Sequence, residues 1–174
     1  MTEPTTPPAT PAEALSAETL RQQLIRNLHE APRRPFSRPP LYDSMYAPLS
    51  DGTAARKLGA GYDVLAPGAR VCPYHFHHAQ EEMFVILEGS ATLRVAGQLL
   101  ALRAGDVVFI PPGPEYPHQI VNTSDAPVKY LSISTQERPE VCEYPDSDKI
   151  IVLGRGREGS HRRAAGVDYW DGEP

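Results

Sequence analysis

From residue 42 to residue 136 short apolar runs alternate with turn residues. YDVLA, VCPYHFH, EMFVILEG, SATLRVAG, QLLALRAG, DVVFIPPG, HQIVNTS and VKYLSIST follow one another with Gly, Pro or Asn-Asp-Ser clusters between them. Short runs closed by turn signals at this pitch predict many strands in a sandwich or a rolled-up barrel, not a helical bundle. No second copy of the unit is present, so the pattern predicts a single barrel. Along the strands Phe84, Ile86, Leu93, Val95, Val107, Phe109, Ile120 and Ile133 read as core, the default for apolar strand positions.

Helical periodicity occurs once, in SAETLRQQLIRNLHE, where Leu20, Leu24, Ile25 and Leu28 share one face. Ser16 is placed to cap its start and Pro32 to end the run. A lone helix of this length is marginal unless its apolar stripe docks, so it is expected to pack on the barrel or on a partner subunit. The prolines of PRRPFSRPP then force an extended arm. Residues 1 to about 12, rich in Pro and Thr, are expected to be disordered. Beyond Gln136 the chain turns polar; KIIVLG reads as one more strand and Tyr169-Trp170 as a surface anchor. The predicted organisation is a 1–41 segment of disordered N-terminus, helix and arm, a 42–136 barrel, and a 137–174 extension packing on it.

Composition narrows the class. One hundred and seventy-four residues suffice for one domain and a modest tail, and nineteen prolines with thirteen glycines suit many turns. A net charge of −5 with interspersed signs argues against nucleic acid as the main partner. Two cysteines, Cys72 and Cys142, do not make a disulfide framework. The N-terminal MTEPTTPPATPAEA has neither the basic nor the apolar region of a signal peptide, and runs such as MFVIL are too short to span a bilayer. A cytoplasmic protein without a membrane partner is expected.

Chemistry concentrates around residue 75. Alternation on a strand points His75 and His77 the same way, about 6.6 Å apart along it, close enough for two imidazoles to converge on one ion. His78 falls on the other face or in the turn. On the returning strand Glu82, Phe84 and Ile86 share a face; Glu82 is the expected oxygen ligand and Glu81 the outward neighbour. His118, after a proline-rich turn, is the fourth candidate. Three imidazoles and a carboxylate suit Mn, Fe, Co, Ni, Cu or Zn rather than Ca or Mg, and leave positions open for substrate. Strand histidines are also ordinary surface or hydrogen-bonded residues, and the pattern alone leaves both readings open.

GARVCPYHFHHAQEEMFVILEG resembles the first cupin motif through Gly68, His75, His77, Glu82 and Gly89. GDVVFIPPGPEYPHQIVN resembles the second through Gly105, Pro111, Gly113, His118 and Asn122. The likeness spans about residues 58–135, with one extra residue before His75 and two before His118. It implies an all-β double-stranded β-helix, a jelly-roll barrel in which His75, His77, Glu82 and His118 bind one divalent transition metal. The arm, VCEYPDSDKI and the terminal DYWDGE are similar to small bacterial cupins described as sugar-phosphate isomerases. The expected function is therefore a metal-dependent enzyme on a small polar molecule bound in the barrel, isomerase-like first. The alternatives are a dioxygenase whose apolar wall would be Phe84, Ile86 and Phe109, or a non-enzymatic ligand-binding cupin. Glu81, Tyr74 and Tyr130 are the catalytic candidates. Tyr62 and Tyr116 are further hydroxyls that could reach the cavity, and Arg70 and Arg103 are possible phosphate contacts. Cys72 reads as structural. The resemblance and the apolar helix together imply a homodimer.

Overall fold

The computed structural model describes residues 15–154 and 158–162. The expected disorder of the first residues and the Tyr169-Trp170 anchor lie outside them. Helix α1 covers Ala17–Leu24, and the Ser16 hydroxyl accepts the Thr19 N–H as its cap. It stops earlier than the periodicity predicts. The Asn27 side chain accepts the His29 N–H, and the Arg26 guanidinium donates to the carbonyls of Gln22 and Ile25. These local bonds offer the backbone an alternative to another helical turn. Leu28 is released to pack with Ala47, Leu49 and Tyr62 on the outer side of the barrel wall, while Leu24 and Ile25 stay exposed.

Among the described residues thirteen strands follow. In chain order they are β1 (Arg34–Arg38), β2 (Tyr42–Pro48), β3 (Leu58–Leu65), β4 (Phe76–His77), β5 (Glu82–Glu88), β6 (Ser90–Val95) and β7 (Gln98–Arg103). Then come β8 (Val107–Ile110), β9 (His118–Val121), β10 (Val128–Thr135), β11 (Glu140–Tyr144), β12 (Lys149–Leu153) and β13 (Glu158–Arg162). The proline-rich arm is thus a strand: β1 pairs antiparallel with β2 and forms the edge of a six-stranded sheet ordered β1-β2-β3-β10-β5-β8. A second sheet is β7-β6-β9 and a third β13-β12-β11-β4. An isolated bridge between His75 and His118 brings the end of β4 beside β9 and joins the last two into one wall.

Alternation then sorts the side chains. Leu65, Phe84, Ile86, Leu93, Ile110, Ile120, Val128 and Tyr130 fill the space between the walls. Four of the expected core positions, Phe84, Ile86, Leu93 and Ile120, are buried there, and Val95 packs partly buried at its margin. Ile133 is half-buried. Val107 and Phe109 instead face solvent, Phe109 at 66% exposure. In register with β5, Val108 lies opposite Phe84 and Ile110 opposite Glu82, so the inward face of edge strand β8 is the other one. A short continuous apolar run carries no alternation from which that choice could be read. Gly89 closes β5 at φ +82, and a Cβ there would lie 2.8 Å from the Pro127 carbonyl oxygen. Among the described residues no helix is long and apolar enough to cross a membrane.

Candidate metal centre

Three histidines reach one carboxylate oxygen. Glu82 Oε2 lies 2.7 Å from His118 Nε2, 3.3 Å from His77 Nε2 and 3.7 Å from His75 Nε2. The sheet dictates this meeting. Glu82 opens β5 on its inward face, His118 opens β9, and the His75–His118 bridge sets those two backbones side by side. His78, one residue further, faces away and pairs with Glu143 at 2.8 Å.

The opposite ring nitrogens show how the imidazoles are held. His75 Nδ1 meets the Pro73 carbonyl at 2.9 Å and His118 Nδ1 the Tyr116 carbonyl at 3.1 Å. A carbonyl only accepts, so each Nδ1 carries a proton, and in the neutral ring the lone pair is left on Nε2. His77 Nδ1 lies 3.3 Å from Glu140 Oε1. Glu140, on β11 and 1% exposed, also accepts the N–H groups of His78, Ala79 and Gln80 at 2.9, 3.0 and 2.9 Å. One buried carboxylate therefore fixes both the turn after β4 and the ring of His77.

Charge follows geometry. Burial, reinforced by His118, holds the His75 imidazole down to about 4. For His77 burial acts downward too, but Glu82 and Glu140 outweigh it and its pKa ends raised. Burial pushes Glu82 up, yet contacts with His118 and His77 dominate and hold its carboxyl well below the usual range. Glu82 Oε2 and His118 Nε2 are buried with no well-directed hydrogen bond among the described residues. Lone pairs aimed at one buried point, with outer partners fixing each ring, are what a cation needs of its donors. The donor set fits a transition ion: His75, Glu82 and His118 offer atoms within 4.8 Å of one another. Cys142, with His75 and His77, forms a second such group, and burial keeps its thiol protonated, its pKa pushed up to about 11.

The other candidates disperse. Glu81 is exposed at the turn, its N–H bonded to Thr135. Tyr74 is buried, but its hydroxyl accepts from Gly97 N–H and its ring carries the Arg94 guanidinium at 3.8 Å. Tyr130 is in the interior, its ring edge-on to Phe84. Tyr62 packs on the outer layer, and Tyr116 is exposed. Arg103 is exposed too. Cys72 Sγ stands 3.7 Å from His75 Nδ1. A group that the motif reading passed over is Asp63, inward on β3. It is 1% exposed, and its Oδ2 accepts from the Ser132 hydroxyl at 2.8 Å. Burial raises its pKa to about 6 against that hydrogen bond. Glu140 was equally invisible, although EVCEY carries the alternating pattern of a strand with Glu140, Cys142 and Tyr144 on one face.

Residues 61–134 match the Cupin_2 family model, described as a cupin domain, and that span holds all four converging residues. Residues 61–134 of the chain form a cupin domain. A cupin described as a sugar phosphate isomerase, from Silicibacter pomeroyi, has a TM-score of 0.70 and 24% identity over 82% of this chain and 96% of its own. A protein of Acidithiobacillus ferrooxidans gives 0.69 and 20% over 89% and 95%. A polyketide cyclase of Streptomyces resistomycificus gives 0.56 and 23% over 67% and 82%. At these identities the likeness is one of fold. An uncharacterised protein of Methanocaldococcus jannaschii is 35% identical over 71 residues, 41% of this chain; the match spans 48%, about half, of that relative's length.

Proposed function

We propose that His75, His77, Glu82 and His118 hold one divalent transition ion, and that this cupin is a metal-dependent enzyme acting on a small polar molecule. Interconversion of aldose and ketose phosphates is the first candidate reaction. The observation that carries the reading is the convergence of three Nε2 atoms on Glu82 Oε2, with the Nδ1 atoms of His75 and His118 held by backbone carbonyls and that of His77 facing Glu140.

The bound ion would supply a Lewis acid for a substrate carbonyl. The chain supplies the rest. Beside Glu82 opens a cavity of about 230 Å³ lined by Tyr46, Ser132, Ser134 and Asp51, hydroxyls and a carboxylate suited to a polyol. Ser132 lines that cavity and donates to Asp63, whose pKa near 6 lets it hold or release a proton at neutral pH. The serine hydroxyl can relay that proton between Asp63 and a substrate hydroxyl. This polar lining favours a polyol over the less polar substrate of a dioxygenase, whose expected apolar wall keeps Phe84 and Ile86 in the interior but loses Phe109 to solvent. The Silicibacter pomeroyi relative carries the isomerase activity in its description, and the substrate class assigned here rests on the cavity.

Protein loaded with Mn, Fe, Co, Ni or Zn, incubated with a panel of aldose phosphates and followed by proton and phosphorus NMR, tests the reading. The expected result is ketose phosphate that disappears with chelator and in His118→Ala. No conversion with any loaded ion would leave a ligand-binding barrel. Conversion that survives both treatments would dismiss the metal mechanism.

A further inference from the structure

A second cleft, of about 440 Å³, lies outside the His–Glu cluster, between the β1–β2 hairpin, the loop before β4, β9 and the start of β12. Its lining brings together Arg38, Arg70 and Lys149, three cations in a chain of net charge −5. The carboxylate in the same lining, Asp146, is already held by Arg94 through two bonds of 2.6 and 2.8 Å. The cleft therefore carries net positive charge, with Lys149 lying over the Tyr144 ring at 4.3 Å and Arg70 within electrostatic reach of Asp146.

Two buried polar atoms in it are unsatisfied. Gln119 is 2% exposed; its Nε2 donates to the Cys72 carbonyl at 2.7 Å, which fixes the amide and leaves Oε1 without a donor among the described residues. Arg70 Nε is buried and likewise lacks an acceptor. The Arg70–Val121 bridge places Arg70 across from the residue two after Gln119, on the same face of β9. Native structures rarely leave a buried donor and a buried acceptor both unmade, and here the two line one cleft.

We infer that this cleft is a binding site for a phosphomonoester. The phosphoryl group, carrying about −1.5 to −2 charge at neutral pH, would lie among Arg38, Arg70 and Lys149. A hydroxyl of the same ligand would donate to Gln119 Oε1, and its carbon skeleton would lie against Phe36 and Tyr42. Arginine forks recognise phosphate oxygens in a fixed plane, which makes Arg70 the anchor and Lys149 a point charge at the rim. The inference stands apart from the metal reading, because none of the four proposed ligands lines the cleft.

Calorimetric titration with glycerol 1-phosphate, with glycerol and inorganic phosphate as separate arms, tests it. Glycerol phosphate is expected to bind, and to weaken with added salt. Arg70→Gln and Arg38→Gln should each lower affinity by roughly tenfold or more, the scale of one charge-assisted contact, while Arg103→Gln stays within about twofold. Gln119→Leu should reduce the preference for glycerol phosphate over inorganic phosphate. Arg38 is exposed on β1, so its variant keeps the test open if Arg70→Gln fails to fold. His118→Ala should bind glycerol phosphate normally even where it abolishes conversion. Absence of binding to the wild type would overturn the inference. So would equal losses in Arg103→Gln, or binding abolished by His118→Ala in a folded protein.

Discussion

Glu140→Gln removes one negative charge and almost no volume from the centre of this structure. Glu140 accepts three backbone hydrogen bonds, His78 N–H at Oε1 and Ala79 and Gln80 N–H at Oε2, and its Oε1 also faces His77 Nδ1 at 3.3 Å. A glutamine has one oxygen, so whichever corner receives the NH₂ faces two donors. If it sits beside Ala79 and Gln80, two backbone N–H groups lose a charged acceptor in a site 1% exposed. Two hydrogen bonds to a charged group are together worth about 3 kcal/mol or more. At roughly 2–4 °C per kcal/mol that is a fall in Tm of roughly 6–12 °C. If the NH₂ faces His77 instead, Nδ1 must become the acceptor and the proton moves to Nε2, which then cannot ligate. Partners of this kind typically alter metal affinity about 10–100-fold, or about 1.4–2.8 kcal/mol. Competition against a fluorescent chelator, alongside thermal melting of the metal-free protein, reads both effects. A variant with unchanged affinity and unchanged Tm would refute the role assigned to Glu140.

Asp63→Asn should stabilise the protein at neutral pH and not at acid pH. The folded-state pKa, raised to about 6, exceeds the ordinary 3.8, so between those values the folded chain binds the extra proton. Stability from this group therefore falls as pH rises through the window, and the full penalty, about 2–3 kcal/mol, stands above it. Urea melts at about pH 4 and about pH 7.5 should show the variant's advantage growing by that amount; an advantage independent of pH would contradict the burial argument. Leu20, Leu24 and Ile25 on and beside α1 remain exposed, and a second copy is the partner proposed for them. Light scattering at micromolar protein should give twice the 19.1 kDa chain mass, and Leu24→Glu should shift it towards the monomer; a wild-type monomer would dismiss the dimer.

The barrel and the shared face of His75, His77 and Glu82 have local signals in the sequence, while the set of four, His118 included, comes from the resemblance to the two cupin motifs. Period-2 alternation fixes that His75 and His77 share a face, and Glu82 opens a strand whose inward set continues through Phe84 and Ile86. What failed was information held by pairing partners. VVFI has no alternation of its own, so only its register with β5 turns Phe109 outward. PRRPFSRPP reads as an isolated arm, because nothing within it announces the hairpin with β2. Asp63 and Glu140 lie in no metal motif. Their importance comes from burial beside Ser132 and His77, residues about 70 and 60 positions away, which topology alone brings together.

A single ion is expected at the point where three Nε2 atoms and Glu82 Oε2 meet. Elemental analysis of protein purified without added metal, followed by titration of the stripped protein with Mn, Fe, Co, Ni and Zn, addresses it directly. About one equivalent per chain of at least one of these ions is expected at open three-His, one-carboxylate ligation, with uptake lost in folded His118→Ala. A wild-type protein that holds none and takes up none, or a His118→Ala variant that binds as tightly, would contradict it.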